Sequence, residues 1–126
     1  NLDSRWFAIY RKFIQMSAAA VYNIVINQHT DFKRSFVLKQ DDLVVNLTDY
    51  SFAASLKKHH TKTTDVDFTA EITNAGQGAF SISLTDTQTS AMDPGEWYYD
   101  LVMTDDNGLK TRIMEGVADV RPGITS

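Results

Sequence analysis

The chain has 126 residues, 43% of them hydrophobic and 11% aromatic, enough to bury one core without metals or disulfides. It contains no cysteine, which excludes a disulfide framework, a zinc–thiolate site and a cysteine nucleophile. A formal charge of −4 argues against a protein built to neutralise phosphates, so nucleic acid is not an expected partner.

No apolar run approaches the roughly 20 residues that cross a bilayer, and no apolar stretch with a small-residue cleavage site opens the chain. Neither a membrane span nor a secretion signal is expected.

Residues 1–19 differ in character from residues 20–126, which predicts an N-terminal extension followed by one domain. Asp3 and Ser4 suit a helix N-cap, and Trp6, Ile9, Tyr10 and Phe13 recur at helical spacing with Arg5, Arg11 and Lys12 between them. A short amphipathic helix or an arm is expected there. A stripe of Trp, Tyr and Phe rarely stays solvated on a monomer, so Trp6, Tyr10 and Phe13 are candidate partner-docking residues. The competing reading is that residues 1–15 are translated upstream sequence, because Met16 opens a Met-Ser-Ala-Ala-Ala run with the character of a natural start.

From Val21 onward the pattern has period two. Tyr22, Ile24 and Ile26 share one face of a first strand, and Phe36 and Leu38 mark a second after His29-Thr30-Asp31. Gln40-Asp41-Asp42 predicts a polar turn into the short apolar run 43–47. Tyr50, Phe52, Ala54 and Leu56 alternate cleanly, and residues 57–64, which are polar and partly basic, predict an exposed loop.

Val66, Phe68, Ala70 and Ile72 form the next inward row, and residues 74–78 turn the chain into Phe80, Ile82 and Leu84. Residues 85–92 predict a single helical turn capped by Thr85 or Asp86, with Met92 as an inward plug. Asp93-Pro94-Gly95 predicts a tight turn. Beyond it, Trp97, Tyr99, Leu101 and Met103 point inward while Tyr98 and Asp100 point out. Asn107-Gly108 is a strong hairpin signal, because both central positions of a two-residue turn favour positive φ. Leu109, Ile113 and Val117 to Val120 supply the last strand or strands. About seven short strands separated by specific turn chemistry predict an all-β, immunoglobulin-like antiparallel sandwich.

Candidate chemistry is sparse. His59 and His60 are adjacent, so on a strand they face opposite sides and do not make a metal site. His29 beside Asp31 is read as a turn residue rather than a general base. Asp41, Asp42, Asp93, Asp105 and Asp106 fall in turns, where Asp is favoured for its local hydrogen bonds, and this reading is preferred to a Ca²⁺ site. The Asn46-Leu47-Thr48 glycosylation pattern is read as accidental. No Ser lies in a nucleophile elbow. The expectation is no enzyme, no catalytic residue, no cofactor, no metal and no small-molecule substrate. Arg112 is expected to pair with Asp100 across the last hairpin. Tyr98 is left as the one aromatic of the Trp97-Tyr98-Tyr99 run on the outer face, a fourth candidate docking residue.

Four stretches carry a resemblance: Leu47-Thr48-Asp49-Tyr50; Phe80-Ser81-Ile82-Ser83-Leu84-Thr85 with Gln88-Thr89; Trp97-Tyr98-Tyr99-Asp100-Leu101; and Arg112-Ile113-Met114-Glu115-Gly116-Val117. In this order they resemble a family of small tailed-phage virion proteins, and the N-terminal immunoglobulin-like module of phage baseplate upper proteins, over about residues 20–125. The family has Gly where this chain has Asp49, a corner that Asp fills better than most residues because it tolerates left-handed geometry.

What the resemblance implies is a virion location after synthesis in the host cytoplasm, and a tail or baseplate assembly role. It implies protein partners, with a homo-oligomer expected, and no catalytic residue. The rival reading is a glycan-binding or receptor-adhesion module centred on Tyr98.

Overall fold

The computed structural model describes residues 6–11, 19–58 and 65–124, with side chains described from residue 19 onward. Two sheets face one another. The first contains β1 (Trp6–Arg11), β4 (Phe32–Gln40), β9 (Ala79–Leu84) and β8 (Thr69–Asn74) in that spatial order, with the short β5 (Leu43–Val44) pairing the end of β4. The second runs from β2 (Ala20–Val21) and β3 (Ile24–Asn27), both against β11 (Lys110–Arg121), through β10 (Gly95–Thr104) and β6 (Ser51–Lys58) to β7 (Val66–Asp67). From Ile24 onward, β3, β4, β6, β8, β9, β10 and β11 each have four residues or more, in keeping with the sandwich expected from the alternation.

Two pairings depart from a purely antiparallel scheme. β2 and β3 run parallel to β11, so the domain's entry lies beside its exit. β1 runs parallel to β4, from Trp6 opposite Ser35 to Arg11 opposite Gln40. Over residues 6–11 the helix expected from the spacing is therefore not formed, and the chain is a strand there. Trp6, Phe7, Ile9 and Tyr10 are all β-favouring types, and the β4 edge satisfies backbone groups that a helix this short would leave at its ends.

The inward rows fill the space between the sheets. Trp97, Tyr99, Leu101 and Met103 are all buried on β10, and Phe36, Leu38, Phe80, Ile82 and Leu84 face them from the first sheet. Aromatic rings form a chain through the core: Tyr22 meets Phe36 edge-on at 5.8 Å, Phe36 stacks on Phe80 at 5.4 Å, and Phe80 stacks on Phe52 of the opposite sheet at 4.1 Å. Such contacts add about 0.5–1.5 kcal/mol each beyond the area they bury. Among the described residues every buried side-chain nitrogen and oxygen has a hydrogen-bond partner.

The chain changes sheets at Phe68. Val66 and Asp67 pair with β6, Phe68 N–H donates to the Ala54 carbonyl at 2.9 Å, and Thr69 onward pairs with β9. Lys57 and Lys58, expected in a loop, instead extend β6 opposite Tyr98 and Trp97, because β10 is long enough to pair with them. The rest of that expected loop, residues 59–64 with His59 and His60, lies outside the described residues.

Several turns follow their chemistry. Asp41 and Asp42 both take left-handed φ values, 53° and 66°, and close the β4–β5 hairpin; Asp49 does the same at 66°. Asn46 Oδ1 accepts from both the N–H and the hydroxyl of Thr48. The helical turn α1 (Asp86–Ser90) is capped by Thr85, whose hydroxyl accepts from Gln88 N–H while the Gln88 side chain accepts from Thr85 N–H, and Met92 is buried behind it.

The last hairpin differs from expectation. Only Gly108 has positive φ, and Asp105 Oδ1 accepts from the N–H groups of both Asn107 and Leu109. The Asp105 carboxylate thereby selects a longer loop than the two-residue turn that Asn107-Gly108 alone would favour.

Candidate docking surface

Strand alternation turns Glu96, Tyr98 and Asp100 to the outer face of β10. The register places Lys57 of β6 and Val117 of β11 on either side of Tyr98. The ring is 39% exposed, and its hydroxyl donates to Glu96 Oε1 at 3.2 Å. That hydrogen bond, then desolvation, then the negative charge of Glu96 raise the phenol above its ordinary value, so Tyr98 is neutral and a donor at physiological pH.

Two open hollows flank the ring. One is lined by Ser55, Lys57, Asp100 and Glu115. The other is lined by Val21, Asn23, Gly116 and Val117, with Val21 strongly exposed at its rim. An ion network borders the first hollow. Arg112 Nε lies 3.2 Å from Asp100 Oδ2, and Arg112 Nη1 lies 3.9 Å from Glu115 Oε1.

The pairing of Arg112 with Asp100 agrees with the sequence reading, but its geometry does not. Asp100 stands directly opposite Glu115 and Arg112 opposite Val102, because a bulge shifts the register between Leu101 and Val102. Val21 and Asn23 were not legible as neighbours of Tyr98. Their proximity comes from the parallel pairing of β2 with β11, which strand alternation does not encode.

The candidate docking residues are not brought together. Tyr98 is on the second sheet, Trp6 and Tyr10 are on β1 at the edge of the first, and Phe13 lies outside the described residues. Among the described residues lining the two hollows, the only other aromatic is Tyr99, which is buried. Tyr98 therefore offers one aromatic face among aliphatic and charged neighbours.

Elsewhere, hydrogen bonds tie α1 to the β3–β4 turn. His29, at φ 66°, lies 2.7 Å from Ser90 Oγ through Nδ1, while the Ser90 hydroxyl donates to the Asp86 carbonyl. With its proton committed to that carbonyl, Ser90 accepts from the imidazole, and the contact clips α1 to the β3–β4 turn. Asp31 Oδ1 accepting from Asp86 N–H and Thr89 Oγ1 donating to the Thr30 carbonyl complete the clip. Among the described residues no three His, Asp or Glu side chains converge on a point that would hold a metal ion, and no helix is long and apolar enough to cross a membrane.

Two facing sheets with parallel entry beside the last strand, and an outer face of mixed character, define an immunoglobulin-like β-sandwich domain. The N-terminal domain of phage TP901-1 ORF48 shares this fold, with a TM-score of 0.57 at 6% sequence identity over 92% of this chain and 98% of that one. An internalin-like protein of Listeria monocytogenes aligns over 89% of this chain and 30% of its own at a TM-score of 0.44 and 12% identity. No protein-family profile and no curated protein sequence matches the chain.

Proposed function

We propose that this domain is a non-catalytic structural protein of a phage virion, a tail or baseplate assembly module that works through protein–protein contacts with virion partners and with copies of itself. The observation that carries the reading is the fold shared end to end with the N-terminal domain of a phage protein. It is supported by the ordered run of stretches between residues 47 and 117 that resemble tailed-phage virion proteins. The outer face around Tyr98 is consistent with such a role, since an aromatic anchor with aliphatic neighbours and a charged rim is typical of protein interfaces.

The test is composition. Particles purified on a density gradient from the source of this sequence are expected to contain the polypeptide at a fixed ratio to the major capsid protein, measured by quantitative mass spectrometry. Recovery solely from the soluble lysate, with none in the particles, overturns the reading.

A further inference from the structure

The outer edge of β4 is closed by β1, the first described strand of the same chain. Neighbouring parallel strands need a crossover of a dozen or more residues. Here the connection from β1 to β4 is residues 12–31, and it visits the opposite sheet on the way, laying β2 and β3 against β11. β1 itself pairs with β4 and with no other described strand. The ladder that holds residues 6–11 is made with one edge, and every copy of the chain carries that same edge.

We propose that β1 is an exchangeable arm. Residues 6–11 of one copy pair with Ser35–Gln40 of a second copy in the parallel register they take within one chain, and so join copies through a shared sheet edge. A second copy is the occupant this edge fits best, since the observed ladder already specifies the segment, its direction and its register. Exchange replaces each hydrogen bond by an identical one, so its free energy is set by the difference between closing within a chain and closing between chains. Closure through a short connection corresponds to an effective concentration on the order of millimolar, so dilute chains close on themselves. Copies fixed side by side in an assembly meet that threshold and exchange. The inference stands apart from the virion reading, because any crowded assembly of this chain would satisfy it.

The absence of cysteine makes the test direct. Ala8 and Val37 are register partners, and Cα atoms across neighbouring strands lie about 5 Å apart, within disulfide range. Full-length Ala8→Cys and Val37→Cys variants, one with a mass tag, are mixed at ~10 µM, far below the closure threshold, and at ~1 mM, close to it, and oxidised with copper–phenanthroline. The expected result is a disulfide between unlike chains whose yield rises several-fold with concentration. Ala8→Cys mixed with Ser83→Cys, on β9 away from the edge, is expected to give none. The double variant Ala8→Cys/Val37→Cys, oxidised when dilute, is expected to close within one chain.

A double variant that closes internally while the mixture never links unlike chains overturns exchange. A double variant that does not close overturns the β1–β4 register on which exchange is built. Linking through Ser83→Cys as readily as through Val37→Cys reveals random collision and overturns it as well.

Discussion

The phenolic hydroxyl of Tyr99 donates to the main-chain carbonyl of Tyr22, tying the centre of β10 to the break between β2 and β3. At this break the backbone departs from a regular ladder with β11. Tyr22 N–H still reaches the Glu115 carbonyl, but Val117 N–H is satisfied by the Asn23 side chain, and the Tyr22 carbonyl accepts from Tyr99. Replacing Tyr99 by Phe keeps the ring and removes this hydrogen bond, a loss of about 0.5–1.5 kcal/mol. Urea unfolding of Tyr99→Phe is expected to show a lower midpoint with an unchanged slope.

The same phenol sets an alkaline limit. Burial is the main cause that raises the Tyr99 phenol above its ordinary value of 10.0. Above pH 10 the unfolded chain loses this proton while the folded one retains it, so the contribution is complete below pH 10 and is lost as pH rises beyond it. Stability of the native protein is expected to fall faster than that of Tyr99→Phe above this pH, with a difference in slope approaching ~1.4 kcal/mol per pH unit. Parallel curves between pH 9 and pH 11 would refute the assignment.

Gly116 is what lets the break approach β11. A Cβ placed there would overlap the Tyr22 carbonyl oxygen and carbon, and would touch Asn23 Oδ1 at 3.0 Å. Gly116→Ala is expected to cost about 1–3 kcal/mol, in the range of overpacked sites, and to lower the melting temperature in a calorimetric scan. The backbone at this break cannot give way cheaply, because Tyr22 is held by Glu115 on one side and Tyr99 on the other.

How far the sequence reached is instructive at particular residues. Trp97, Tyr99, Leu101 and Met103 were legible as core because alternation is a local property, and so was the Thr85 cap before Met92. What stayed hidden is non-local. The sequence does not say that Ala20–Val21 lie beside Met114–Glu115, and this pairing is what brings Val21 and Asn23 to Tyr98. Nor does it say that the edge of β4 is open to residues 6–11, where helical spacing and β-favouring side chains gave conflicting signals. The Asp105 carboxylate outweighed the Asn107-Gly108 dipeptide through a hydrogen bond that propensity does not record.

Asp49 tests the same distinction at one position. Its φ of 66° is the left-handed conformation that the resemblance led one to expect, since the family carries Gly at this corner. Left-handed geometry costs an L-residue about 1–2 kcal/mol, and somewhat less for Asp. Asp49→Gly removes this strain and gives part of it back as unfolded-state entropy. The variant is expected to be more stable by about 0.5 kcal/mol, read from the urea midpoint, whereas Asp49→Val is expected to be less stable than the native protein.

Arg112 carries the last prediction. Asp100 and Glu115 stand directly opposite each other across β10 and β11, an arrangement of like charges that is unfavourable by itself. Arg112 reaches both carboxylates from the neighbouring position. Because all three side chains are substantially exposed, Arg112→Gln is expected to cost no more than about 1 kcal/mol at low ionic strength. The informative reading is its salt dependence. At 1 M salt the screening length falls to about 3 Å, so the attraction in the native protein and the repulsion left in the variant both fade. The gap between their unfolding free energies should therefore close with added NaCl. A gap that persists in high salt would mean that Arg112 acts through the packing of its aliphatic stem and not through its charge.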